Sequence, residues 1–134
     1  MVGVVIAAHG ELARDLLQIA EFIVGKVERI RALSIDPSLD VNDIQGAISR
    51  TIKEVDDGSG VLILTDMFGG TPANMTLPFL REGAVEVVTG VNLPMLIRLC
   101  QCRDGGKGLS DVAREALEYG RKSINQASAI LAKK

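Results

Sequence analysis

Short runs of apolar, mostly β-branched residues alternate along this chain with longer stretches whose apolar residues recur every three or four positions. That pattern leaves few options. A strand that is apolar on both faces needs cover on both, and helices between successive strands supply it, which gives an open, mostly parallel α/β sheet with helices on each side. Val2 to Ala8 is the clearest such run, with no polar side chain, and reads as a central strand. With 134 residues against a usual ~150 per domain, the expectation is one domain spanning residues 1–134.

The remaining elements follow from the same periodicities. Leu12, Leu16, Leu17, Ala20, Ile23 and Val24 fall at helical spacing, with Gly25 as the stop. Glu28 to Ile35 is a second, more polar strand that belongs nearer an edge, and Asp36-Pro37 breaks it. Asp40 is placed to cap a helix whose inward stripe is Val41, Ile44, Ile48, Ile52 and Val55. After the turn Asp56-Asp57-Gly58-Ser59-Gly60 comes a third buried strand, Val61 to Leu64, ending at Thr65-Asp66. A helix is expected from Thr71-Pro72, with Thr71 as its cap, and Pro78 should kink or end it. Ala84 to Thr89 is a fourth strand, followed by helices near Asn92 to Cys102 and Leu109 to Gly120.

Composition narrows the function. Fifteen Lys and Arg against seventeen Asp and Glu give a net charge of −2, with no basic block to follow a phosphate backbone, so nucleic acid is not an expected partner. Three Phe, one Tyr and no Trp leave little for base stacking. The N-terminal apolar run is far shorter than the ~20 residues of a membrane span, and the expectation is a cytoplasmic protein. Cys100 and Cys102 lie two positions apart on a helix, on nearly opposite sides, and read as reduced thiols; with one histidine and no second cysteine pair, no metal site is expected.

In a sheet of this kind ligands sit beyond the carboxyl ends of the strands. Three unusual loops converge there: Ala8-His9-Gly10, Thr65 to Thr71, and Thr89 to Pro94. His9, the only histidine, ends a buried strand and precedes a glycine that permits close approach. Asp66 is the acid best placed to meet it, provided the first and third strands are neighbours. A carboxylate that accepts the Nδ1 hydrogen fixes the tautomer, leaves Nε2 as a nucleophile and stabilises the cationic ring that attack creates. Gly69-Gly70-Thr71-Pro72 supplies a turn able to aim backbone N–H groups inward at an anion. The chain lacks a G-x-x-x-x-G-K-[ST] loop, a G-x-S-x-G elbow and an acidic cluster for magnesium. A phosphohistidine relay fits these residues better than nucleotide-driven or hydrolytic chemistry.

The runs Val4-Val5-Ile6-Ala7-Ala8-His9-Gly10, then Leu62-Ile63-Leu64-Thr65-Asp66-Met67-Phe68-Gly69-Gly70-Thr71-Pro72-Ala73-Asn74, then Thr89-Gly90-Val91-Asn92-Leu93-Pro94-Met95 resemble, in order and over essentially the whole chain, the IIA component of the mannose family of the bacterial phosphoenolpyruvate-dependent sugar phosphotransferase system. The resemblance implies that His9 is phosphorylated at Nε2 by the phosphocarrier HPr and passes the group to a IIB component, with Asp66 as its carboxylate partner. Gly10, Thr65, Gly69, Gly70 and Thr71 would line the phosphate site, and Met67 and Phe68 would either form a docking surface or pack in the core. No cofactor and no metal are implied.

The resemblance further implies a homodimer in which a C-terminal segment, Ser123 to Leu131, adds an antiparallel edge strand to the partner's sheet, although Gln126-Ala127-Ser128-Ala129 suits a helix equally. IIB would be a separate chain, and contact with the membrane IIC and IID components would be indirect, through peripheral association with the permease. Three other readings remain open at this stage: a receiver-like domain phosphorylated on Asp66, a phosphocarrier feeding a dihydroxyacetone kinase, and a regulatory phosphohistidine module without a transport role.

Overall fold

The computed structural model describes residues 1–132. Four strands, β1 (Gly3–His9), β2 (Ile30–Ile35), β3 (Val61–Thr65) and β4 (Val85–Thr89), form one sheet in the order β2-β1-β3-β4, with every neighbouring pair parallel. The helices are α1 (Leu12–Val24), α2 (Val41–Val55), α3 (Thr71–Thr76), α4 (Leu93–Cys102), α5 (Leu109–Lys122) and α6 (Ala127–Ala132). The expected class is therefore found, with β2 at an edge and β1 and β3 adjacent in the middle.

Alternation along the central strands divides the core in two. Val4, Ile6, Ala8, Leu62 and Leu64 face the layer of α1, α4 and α5, where they meet Ala13, Ala20, Leu96, Leu99, Val112 and Ala116. Val5, Ala7, Val61 and Ile63 face α2, where Ile44, Ile48 and Val55 complete a second cluster. The central-strand residues are fully buried, and each large one stabilises the fold by about 1.5–3 kcal/mol relative to exposure. This two-sided burial makes β1 and β3 read as unbroken apolar runs.

Local chemistry sets the helix ends. Asp40 caps α2 by accepting from the Asn42 N–H at 2.7 Å, as its position predicts. Asn92 caps α4 through the Met95 N–H at 2.9 Å and donates its amide to the Gly120 carbonyl at 3.0 Å, tying the start of α4 to the end of α5. Pro78 ends α3: the helix stops at Thr76 and a single 3₁₀ turn, Leu77–Phe79, follows. At the opposite end of the sheet, Arg103 is buried with its guanidinium donating to the carbonyls of Val2 at 2.9 Å, Arg29 at 3.3 Å and Glu28.

Two expectations need correction. Thr71 does not cap α3; Gly70 occupies the cap position in extended conformation, φ −85° and ψ 174°, while Thr71 and Pro72 are already inside the helix. The segment Ser123 to Leu131 forms no strand here. Ala127–Ala132 is helical, in line with three alanines in six residues, and alanine has the strongest intrinsic preference for helix.

Candidate functional site

The strand order reverses at β1: the connection through α1 leads to β2 on one side, and the connection through α2 returns to β3 on the other. That reversal opens a crevice at the carboxyl ends of β1 and β3. His9 is the last residue of β1, and Asp66 follows the last residue of β3. Ala7 lies opposite Thr65 in the parallel ladder, so the two functional side chains leave the sheet at neighbouring points. The turn after His9 requires Gly10 at φ +56°, and α1 begins two residues later.

Asp66 engages His9 twice. Its Oδ2 accepts from the His9 backbone N–H at 3.0 Å and pairs with Nδ1 at 2.7 Å. A carboxylate only accepts, so the proton of this pair resides on Nδ1, and in the neutral ring Nε2 then carries the lone pair. The other oxygen, Oδ1, accepts from the Met67 N–H at 3.0 Å. The side chain of Asp66 is 13% exposed and that of His9 41%, so the acid is sheltered beneath a ring that meets solvent. Partial burial pushes the Asp66 carboxyl upward, but the two hydrogen bonds from His9 and the ring's charge outweigh it and hold the group below its usual value.

The glycine loop closes the other side of the ring. Gly69 adopts φ +89°, with open space where a side chain would project. Gly70 differs: a Cβ there would lie 2.9 Å from His9 Cε1 and 3.4 Å from Nε2. Thr71 is half-buried at the start of α3. Thr65 is fully buried, and its hydroxyl has no hydrogen-bond partner among the described residues. Its neighbour across the ladder is Ala7, two residues from His9, so by strand alternation its side chain shares the sheet face of the imidazole. Met67 and Phe68 are 54% and 72% exposed, which removes the core-packing option and leaves two apolar side chains on the surface beside the ring.

His9, Asp66 and Gly70 are thus gathered at the carboxyl ends of β1 and β3, as their sequence positions suggest. Two relationships had no sequence signal. One is the second hydrogen bond from the His9 backbone to Asp66, which depends on strand register. The other is the direct approach of Gly70 to the imidazole, since a glycine pair does not reveal which member serves the backbone and which makes room for a neighbour. A concavity of about 320 Å³ between β4 and α5 is lined by Val88, Asn92, Met95 and Ile124 and does not include His9. Among the described residues no helix is long and apolar enough to cross a membrane.

Comparison with known proteins gives the family and the fold. The mannose-specific EIIAB component of the phosphotransferase system (PTS) of Escherichia coli K12 is 29% identical over 129 residues, covering 96% of this chain and 40% of that protein. The chain therefore spans about two fifths of the length of that relative. The crystal structure of phosphotransferase system component EIIA from Streptococcus agalactiae superposes with a TM-score of 0.86 at 26% identity, covering 96% of this chain and 99% of that one. The PTS IIA protein associated with the fucose utilization operon of Streptococcus pneumoniae gives 0.83 at 29% identity, covering 98% and 99%. The family model described as PTS system fructose IIA component matches residues 3–117, and the chain belongs to that family.

Proposed function

We propose that this chain is a phosphocarrier of a sugar phosphotransferase system, in which His9 Nε2 takes a phosphoryl group from phospho-HPr and passes it to a IIB component. The observation that carries the reading is the 2.7 Å pairing of Nδ1 with Asp66 beneath an exposed ring. The Nε2 lone pair forms the new P–N bond as the bond from phosphorus to the donor's histidine nitrogen breaks. The positive charge that appears on the ring is met by the Asp66 carboxylate, which is already ionised and needs no reorganisation. Transfer to IIB is the same step with the roles exchanged.

Gly10, Gly69, Gly70 and Thr71 line the seat of the phosphoryl group in this reading, and Thr65 supports it from beneath with its unpartnered hydroxyl. Met67 and Phe68 provide the apolar surface on which HPr and IIB dock in turn. The protein is cytoplasmic, acts beside a membrane permease and forms a homodimer. The receiver-like alternative has less support, because both Asp66 oxygens already accept hydrogen bonds from His9 and Met67.

The test is incubation with phosphoenolpyruvate, enzyme I and HPr, followed by intact-mass measurement. One phosphoryl group is expected on the wild type and none on His9→Ala. Phosphorylation of His9→Ala, or a phosphoryl group stable in acid and labile in base, would overturn the assignment.

A further inference from the structure

The two adjacent glycines of the site are glycines for different reasons. Gly69 sits at φ +89°, a backbone conformation that side chains disfavour, and a Cβ there would meet nothing within 4 Å. Gly70 sits at φ −85° and ψ 174°, where any residue is comfortable, and it caps α3, a position that Ser, Asp or Asn would fill at least as well. Neither the backbone nor the helix asks for glycine at position 70. The imidazole does: a Cβ would stand 2.9 Å from His9 Cε1, closer than carbon atoms approach without displacement, and 3.4 Å from both Nε2 and Met67 Cγ.

We propose that Gly70 is a positioning residue for His9: its missing side chain lets the Cε1–Nε2 edge of the ring rest against the loop while Nδ1 reaches Asp66. The ring is thereby held by a hydrogen bond at 2.7 Å on Nδ1, while the loop leaves no room for a side chain along the adjoining Cε1–Nε2 edge. A methyl group at position 70 must move something. The main chain is anchored where the Asn74 N–H donates to the Gly70 carbonyl at 2.9 Å, whereas the imidazole is the free end of a side chain, so the ring yields. Turning it away from the loop lengthens or breaks its bond to Asp66, loses the enforced tautomer and moves the attacking nitrogen. The inference rests on the phosphocarrier reading for its consequence in transfer, but the ring geometry stands independently of any donor.

The experiment therefore reads ring and transfer separately. In unphosphorylated wild type, NMR should show a far-downfield Nδ1 proton and a strong nuclear Overhauser effect between His9 Hε1 and the Gly70 Hα protons. In G70A, with folding checked by circular dichroism, the downfield signal should be lost and the rate of transfer from phospho-HPr should fall about 10–100-fold, the order expected for a displacement near 1 Å, with KM for the donor within about twofold of wild type. Retention of signal and rate in G70A overturns the proposal. So does loss of rate with the ring signal intact, because the space would then serve the phosphoryl group and not the imidazole. If G70A does not fold, the wild-type Overhauser effect decides, and its absence overturns the proposal. Failure of the wild type to accept phosphate would overturn the phosphocarrier reading alone, leaving the ring measurements to judge Gly70.

Discussion

A single oxygen of Asp66 binds both the main chain and the side chain of His9, at 3.0 Å and 2.7 Å. The first bond extends the β1–β3 ladder beyond its last regular pair, and the second sets the tautomer of the ring. Asp66 thus positions the end of the strand and the imidazole with one group.

Replacing that carboxylate by an amide separates its geometry from its charge. In Asp66→Asn the amide oxygen can still accept from the His9 backbone, so circular dichroism and the chromatographic profile should match wild type. Both bonds to His9 can persist with the amide oxygen in that place, but charge compensation for a phosphorylated ring is lost. Rapid-quench measurement should show transfer slowed by about 10²–10⁴-fold, by analogy with removal of the orienting acid in other histidine systems.

The same carboxyl predicts a pH dependence. Its folded-state value is held below the usual one by His9 despite the opposing effect of burial, so it contributes stability that is fully present above the unfolded value of about 3.9. That contribution is lost as pH falls through the lower folded value, where both states bind the proton. Urea midpoints of wild type and Asp66→Asn should differ at pH 7 and converge in strong acid, with no corresponding loss on the alkaline side due to this group.

Phe68 offers a test of docking without an effect on folding. At 72% exposure its truncation to alanine should change stability by no more than about 0.5 kcal/mol. If partners seat on this surface, the KM for phospho-HPr should rise about 5–10-fold, corresponding to about 1–1.4 kcal/mol of lost contact, with kcat little changed. An unchanged KM would remove Phe68 from the interface.

Arg103 is expected to show the reverse pattern. Its substitution by alanine strips donors from the buried carbonyl of Val2 and from those of Glu28 and Arg29, a loss of about 2–4 kcal/mol for charge-assisted bonds whose acceptors stay desolvated. Chemical denaturation should register this. Phosphoryl transfer by the remaining folded protein should be unaffected, because the residue lies at the amino end of the sheet, away from His9.

Much of this arrangement was legible in the residues. Val4 to Ala8 and Val61 to Leu64 announce central strands because both their faces are buried, and Asp40 and Pro78 mark helix boundaries through chemistry confined to a few neighbouring positions. His9 and Asp66 stood out because each follows such a strand. What escaped depends on distant partners. Gly70, not Thr71, caps α3, and it lies close to an imidazole belonging to another strand. Arg103 looks like an ordinary surface cation at the end of α4, and only the three-dimensional fold turns it inward toward Val2. The C-terminal segment had balanced preferences, and its alanines prevail in the isolated chain.

The His9–Asp66 contact joins residues 57 positions apart, with α1, β2, α2 and β3 between them. Closing so long a loop is an entropic cost recovered only when the intervening elements have docked. A nascent or half-collapsed chain consequently carries a histidine with no oriented acid, chemically little different from a free one. The paired geometry of His9 and Asp66 requires β1 and β3 to have met, so its appearance during refolding reports that pairing.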